Sequence, residues 1–372
     1  MSETESITVF LPGLHGGGAE KMMLDLSSEF VDRGLDVDLV VASREGKFLD
    51  KVPEKVDLID LDAPEPPGYG LLGALPGLIS HLRDRCPDAV LSALNRANIV
   101  AVLATRLSQV DARVVVSERN HLSTYLDHAM RREQLALPRL IRAVYPYADD
   151  VVAISEGVAD DLAETAGLDR ESITVVYNPA MTPEIRGMYD EPVEYPWFGD
   201  DLPVIIGVGS LTEQKDFPTL LRAVAHLREE RPCRLVICGE GEKRPELEAL
   251  VEELGLDDIV DLPGFVDNPY AMMNQADVFA LSSKWEGFGN VIVEALGCGC
   301  PVVSTDCPSG PAEILSGGKH GELVPVGDPR ALASGIAAQL DDPPNARELQ
   351  ERADDFAVDT IAREYLTVLL DR

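Results

Sequence analysis

Positive charge is what this sequence lacks most. Lysine and arginine number 32 against 65 aspartate and glutamate, a formal net charge of −33 over 372 residues. A nucleic-acid binder needs a basic face, so that class is excluded, as is adhesion to anionic lipid through the whole surface. Cysteine is scarce too: Cys86, Cys233, Cys238, Cys298, Cys300 and Cys307 form no C-x-x-C pair. They are expected to be reduced and mostly buried in a cytosolic protein, and no Cys/His cluster has zinc spacing. No apolar run reaches the roughly eighteen residues that a membrane-spanning helix needs. Residues 1–6 are acidic and lack the positive start of a secretory signal.

What is present is a globular composition, 45% hydrophobic and 26% charged. The chain is too long for one typical core and suits two domains. The acid is spread along the chain, as on the solvated surface of a halophile's protein. Such charge repels itself unless salt screens it. The protein is therefore expected to need molar salt to stay folded; full stability in dilute buffer would remove that reading.

The chain is organised around Glu286-Gly-Phe-Gly-Asn-Val-Ile-Val-Glu294. Residues 276–281 before it read as a buried strand, Gly287 and Gly289 break regular structure, and a helix resumes at Asn290. A loop opening onto a helix N-terminus suits a phosphate, because first-turn amides lack intrahelical partners. An acid beside such a site makes electrostatic sense where it grips hydroxyls, as in dinucleotide folds. One loop thus accommodates a nucleotide's phosphates and its ribose, leaving Glu286 for a sugar.

The first half alternates strand and helix. Residues 7–11 form a strand, 12–18 a glycine loop with Gly17 and Gly18, and a helix starts at Ala19. Strands follow at 37–41, 56–61, 88–91 and 113–117, with helices at 71–85 (interrupted near Pro76) and 99–107. This is the pattern of a doubly wound parallel sheet. Polar residues Glu118, Arg119, Asn120 and His121 follow a buried strand, where such sheets place ligands. His121 taken alone reads more readily as a capping or solvated residue than as a site residue. Residues 125–147 suggest one helix carrying Arg131, Arg132, Arg139 and Arg142. These arginines either pair with acidic neighbours or dock a diphosphate-linked lipid or membrane head groups. The apolar stretch 69–76 either adds to that contact or is core.

Strands at 150–154 and 173–176 close the first half, and Ser155 is a helix N-cap. The second half restarts with a strand at 204–208, a loop with Ser210 and Lys215, and a helix to Leu227. Strands at 234–238 and 301–304 flank the central loop in sequence, and 358–370 is an amphipathic helix.

The Glu286–Glu294 string resembles the E-x7-E signature of retaining glycosyltransferases of family 4. Gly-Gly-Gly-Ala-Glu resembles that family's G-G-A-E loop, and Gly209 to Lys215 its G-R-x-x-x-x-K loop, with Ser210 where arginine is usual. Residues 259–266 resemble the segment near the donor base. The resemblance spans nearly the whole chain. It implies an α/β, GT-B fold: two Rossmann-like doubly wound domains facing across a cleft. The expected divisions are an acceptor-side domain at 1–180, a linker at 181–202, a nucleotide-sugar-binding domain at 203–355, and a helix at 356–372 crossing back.

It further implies a hexose or N-acetylhexosamine moved from a nucleotide diphosphate sugar, UDP favoured, to a glycan or polyprenyl-linked lipid hydroxyl. Glu286, His121 and Lys215 are the expected catalytic residues. Gly17, Gly18, Ser210, Lys215, Val266, Phe288, Gly289, Asn290, Val291 and Glu294 are expected at the donor, and Arg119, Asn120, Arg131 and Arg132 at the acceptor. No metal or other cofactor is expected. The expected location is cytoplasmic, peripheral on the inner face of the membrane. Two alternatives share the architecture. A nucleotide-sugar epimerase would release nucleotide without acceptor; a non-catalytic partner subunit would bind donor without turnover.

Overall fold

Strand cores such as Val-Val-Val-Ser and Val-Ile-Ile-Gly are apolar on both faces, which suits parallel strands covered by helices on either side. A computed structural model describes residues 4–63 and 70–371, apart from the side chains at 128 and 132. Most of the Pro/Gly-rich loop at 63–70, with Tyr69, thus lies outside the described residues. The chain divides into two compact units, Met1–Pro179 with Val358–Arg372, and Ala180–Ala357.

In the first unit the order is β1 (Ser6–Leu11), α1 (Gly18–Asp32), β2 (Asp36–Val41), β3 (Asp57–Asp60), α2 (Leu75–Arg85), β4 (Ala89–Ala93), α3 (Asn95–Ser108) and β5 (Arg113–Glu118). Then come α4 (Leu122–His128), α5 (Arg131–Val144), β6 (Asp150–Ala153), α6 (Glu156–Ala166) and β7 (Ile173–Val175). The strands form one parallel sheet, β3-β2-β1-β4-β5-β6-β7. Pro76 falls in the first turn of α2, where a missing N–H costs nothing; a 3-10 turn over Gly70–Ala74 precedes it. The single helix expected at 125–147 is instead two, parted by extended backbone at Ala129 and Met130. Ser155 caps α6 by accepting Val158 N at 3.1 Å.

In the second unit the order is α7 (Pro183–Met188), β8 (Val204–Val208), α8 (Phe217–Glu230), β9 (Arg234–Cys238), α9 (Arg244–Leu254), β10 (Val260–Gly264), α10 (Pro269–Gln275) and β11 (Val278–Leu281). It ends with α11 (Asn290–Gly297), β12 (Val302–Thr305), α12 (Pro311–Ile314), β13 (Glu322–Val324), α13 (Pro329–Asp341) and α14 (Ala346–Asp354). Its parallel sheet runs β10-β9-β8-β11-β12-β13. The stretch 181–202, expected as a linker, lies within this unit. It is anchored by α7 and by an aromatic cluster of Tyr195, Trp197 and Phe198. Tyr195 hydrogen-bonds Asp261, and the Arg234 guanidinium sits 5.3 Å from the Trp197 ring centre.

The last helix, α15 (Val358–Leu370), belongs to the first unit. Ile361, Ala362, Tyr365 and Leu369 enter a core shared with Leu39, Leu91 and Val115. A helix this short is marginal alone, whereas each large apolar side chain buried adds about 1.5–3 kcal/mol, so packing holds it.

Both sheets reverse strand order beside their first strand, between β1 and β4 and between β8 and β11. Loops leaving these neighbours diverge there, opening a crevice at the strands' carboxyl ends.

Candidate active site

At the β8–β11 switch point two loops are laced together. Lys284 N donates to Gln214 O at 2.8 Å, Gln214 Nε2 to Trp285 O at 2.9 Å, and Ser282 Oγ to Lys215 O at 2.8 Å. Lys215 Nζ reaches Glu286 Oε1 at 2.5 Å, with 16% and 8% of the two side chains exposed. Ser283 Oγ donates to the same Oε1 at 2.6 Å. The loop after β12 completes the cradle: Glu286 N donates to Pro308 O at 2.8 Å, and Thr305 Oγ1 to Ser283 O at 2.6 Å. Gly310, at φ +94°, lets that loop close in, since a Cβ there would lie 1.8 Å from Phe288 O. Taking a lysine and a carboxylate out of water together is expensive. Stability alone is therefore a weak reason for the pair, and chemistry a better one. Nearby, burial and the Glu286 carboxylate push the Cys307 thiol up to about 12, so it stays neutral.

Glu286 leads directly into α11, whose N-cap Gly289 has φ +97° and no side chain with which to cap. Asn290, Val291 and Glu294 are half-buried along its first turns. Burial and then the Glu294 carboxylate raise the Tyr270 phenol, which places Glu294 near α10. Ser210 is exposed just past β8, and Val266 is half-buried just past β10, next to a 77% exposed Phe265. The donor assignment of Phe288 needs correction at the side chain. Its ring is buried edge-on against Phe356, 5.4 Å between centres, so only backbone is available to a ligand.

In the first unit the glycine loop follows β1. Glu20 Oε2 accepts Gly16 N at 2.6 Å and Gly17 N at 2.7 Å, so the loop's own helix already takes these amides. Gly18 is open: a Cβ there would meet nothing within 4 Å. His121 follows β5 and precedes α4; its Nδ1 lies 3.6 Å from Asp161 Oδ1 on α6. Asp161 Oδ2 accepts Ser123 N at 3.1 Å. Burial alone would raise Asp161, but the His121 and Ser123 bonds hold it below the usual carboxylate range. This is the arrangement that orients an imidazole.

Arg119 is not at an acceptor surface. It is 5% exposed and spends its donors on Ser117 Oγ at 3.1 Å, Tyr365 Oη at 3.2 Å and Asn178 Oδ1 at 2.6 Å. A side chain directed inward from the strand end meets α15 rather than solvent. Asn120 and Arg131 are exposed; the Arg132 side chain lies outside the described residues. Sequence reasoning missed Ser283, Gln214 and Asp161. Ser283 had a signal, its position three residues before Glu286; Gln214 and Asp161 had none.

Comparison with known proteins identifies the family. Residues 17–179 match the family described as Glycosyl transferase 4-like domain, and 197–356 match Glycosyl transferases group 1. A Campylobacter jejuni relative, N-acetylgalactosamine-N,N'-diacetylbacillosaminyl-diphospho-undecaprenol 4-alpha-N-acetylgalactosaminyltransferase, is 30% identical, covering 98% of this chain and all of its own. The lipopolysaccharide core biosynthesis glycosyltransferase LpsE of Rhizobium meliloti is 27% identical over 94% of each chain. The crystal structure of Anabaena HepE in complex with UDP superposes with a TM-score of 0.78, 22% identity, and coverage of 99% of this chain and 100% of that one. Two parallel-sheet Rossmann-like units, the lysine–glutamate pair at a switch point and a full-length relative lead to one assignment: the chain is a glycosyltransferase of the GT-B fold and belongs to the group 1, family 4 glycosyltransferases.

Proposed function

We propose that the protein transfers a hexose or N-acetylhexosamine from a UDP-sugar to a hydroxyl of a glycan or lipid-linked acceptor, with retention of anomeric configuration. The carrying observation is the 2.5 Å Lys215–Glu286 pair at the mouth of α11. The bond from the anomeric carbon to the diphosphate breaks, and the acceptor oxygen joins that carbon on the same face. The acceptor's proton leaves on the departing diphosphate. Negative charge grows on the leaving group, where Lys215 and the amides at 289–291 stabilise it in place of a divalent ion. Glu286 orients the sugar ring and favours its positive character, Glu294 holds the ribose, and Ser210 gives a neutral hydrogen bond. The base reaches Val266 at β10, three strands or about 14 Å from β11.

UDP is supported by its presence in the Anabaena structure, and a lipid-linked or surface glycan by the names of the Campylobacter and Rhizobium relatives. Among the described residues no helix is long and apolar enough to cross a membrane. The outward face of α5 carries exposed Arg131, Arg139 and Arg142 with Leu135 and Leu140. This basic face in an acidic chain brings the protein to the anionic cytoplasmic leaflet and to diphosphate-linked acceptors. Flotation with phosphatidylglycerol vesicles, lost in Arg139→Glu, is expected; flotation unaffected by that change would remove the assignment.

The donor is tested by unfolding midpoints in high salt across UDP-, GDP- and dTDP-sugars. Ligand at a hundredfold over Kd adds about 2.7 kcal/mol, so a rise confined to UDP-sugars is expected. Lys215→Ala should weaken UDP binding about 10–100-fold, as loss of a charge-assisted bond to a diphosphate implies. No rise with any nucleotide sugar, or unchanged UDP affinity in Lys215→Ala, would overturn the assignment.

A further inference from the structure

Both side-chain donors that reach Glu286 fall on one oxygen. Lys215 Nζ and Ser283 Oγ approach Oε1 at 2.5 Å and 2.6 Å, and no other side-chain donor among the described residues reaches the carboxylate. A carboxylate accepts on both oxygens, so this one-sided arrangement leaves Oε2 for something else. The two donors differ in freedom. Lys215 carries a long side chain able to turn toward a diphosphate. Ser283 has no exposed surface, and its carbonyl is fixed by Thr305 Oγ1 at 2.6 Å. It cannot follow the ligand.

We propose that Ser283 is the positioning residue of the transfer site: it grips Glu286 by Oε1 alone, so that Oε2 is presented to the donor sugar. The grip matters most once donor is bound, because the diphosphate then draws Lys215 away. Without the hydroxyl, the carboxylate is free to rotate at the moment it must face the ring. The loss therefore falls on turnover rather than on donor binding, which Lys215 and the α11 amides provide. This inference rests on the transfer role given to Glu286 above.

The test is Ser283→Ala, assayed with the nucleotide sugar that the parent chain turns over. A fall in kcat of about 10–100-fold is expected, the size for losing a hydrogen bond to a charged group. Donor KM should stay within about threefold, the signature of an interaction made in the transition state. In a Glu286→Asp background, whose shorter side chain already leaves the grip, Ser283→Ala should cost no more than about twofold, because groups acting as a unit are non-additive. A parent-like kcat, or losses that multiply in the double variant, would overturn the proposal. Should Ser283→Ala not fold, Ser283→Cys, a weak donor of similar shape, takes its place; a loss with unchanged KM supports the grip and parent-like turnover refutes it. Full transfer by Glu286→Gln would instead sink the role of Glu286. An inactive Glu286→Gln beside a parent-like Ser283→Ala sinks only this inference.

Discussion

Glu118 ends β5 and Glu286 lies in the loop after β11, and both are nearly buried, 1% and 6% exposed. Their partners separate them. Glu118 is surrounded by neutral donors: Tyr145 Oη, Asn98 Nδ2 at 3.1 Å and Asn95 Nδ2 at 2.7 Å, so both oxygens are used. Burial pushes it up to about 7, only partly offset by the Tyr145 and Asn98 bonds and by Arg119. Glu286 faces a lysine and a serine on a single oxygen. A carboxyl enclosed by neutral groups braces the sheet; one paired with a cation and left half-engaged is ready for a ligand. Burial does not distinguish the two, and the company each keeps does.

Exchanging charge for amide should sharpen this difference. Glu286→Gln is expected to lower transfer by at least about a thousandfold, some 4 kcal/mol of barrier, while the unfolding midpoint barely moves. Steady-state assay beside calorimetry checks both halves, and transfer at the parent rate would end the distinction. Glu118→Gln should leave transfer nearly unchanged and act on stability. The folded value of Glu118, about 7, lies above the ordinary 4.5, so the folded chain holds a proton that the unfolded chain releases. That contribution is full below about pH 4.5 and lost as pH rises to about 7. It amounts to roughly 3 kcal/mol at 1.36 kcal/mol per unit. The variant lacks this dependence, so its stability relative to the parent should improve between pH 5 and pH 8. Urea unfolding at the two values checks it; a constant difference would show that Glu118 is not what titrates.

Much of the architecture was legible in advance, because buried parallel strands leave unbroken apolar runs and glycine or polar clusters punctuate them. Residues 204–208, 234–238 and 358–370 were placed to the residue. The break between α4 and α5 was not, since neither glycine nor proline marks Ala129 or Met130. At the site, Glu286, Lys215 and the α11 start were readable from local motif. Asp161 and Gln214 were not, because what makes them matter is a neighbour distant in sequence. Arg119 shows the converse: a charged residue past a strand end reads as surface until the returning helix is known to cover it.

That covering has a consequence for how the protein is made. One guanidinium clasps Asn178, where the chain leaves the first unit, and Tyr365, where it has come home. The first unit therefore cannot close its core until α15, which follows the whole second unit in the chain, has been made. The second unit, continuous in the chain, can mature during synthesis. Assembly thus finishes at the beginning.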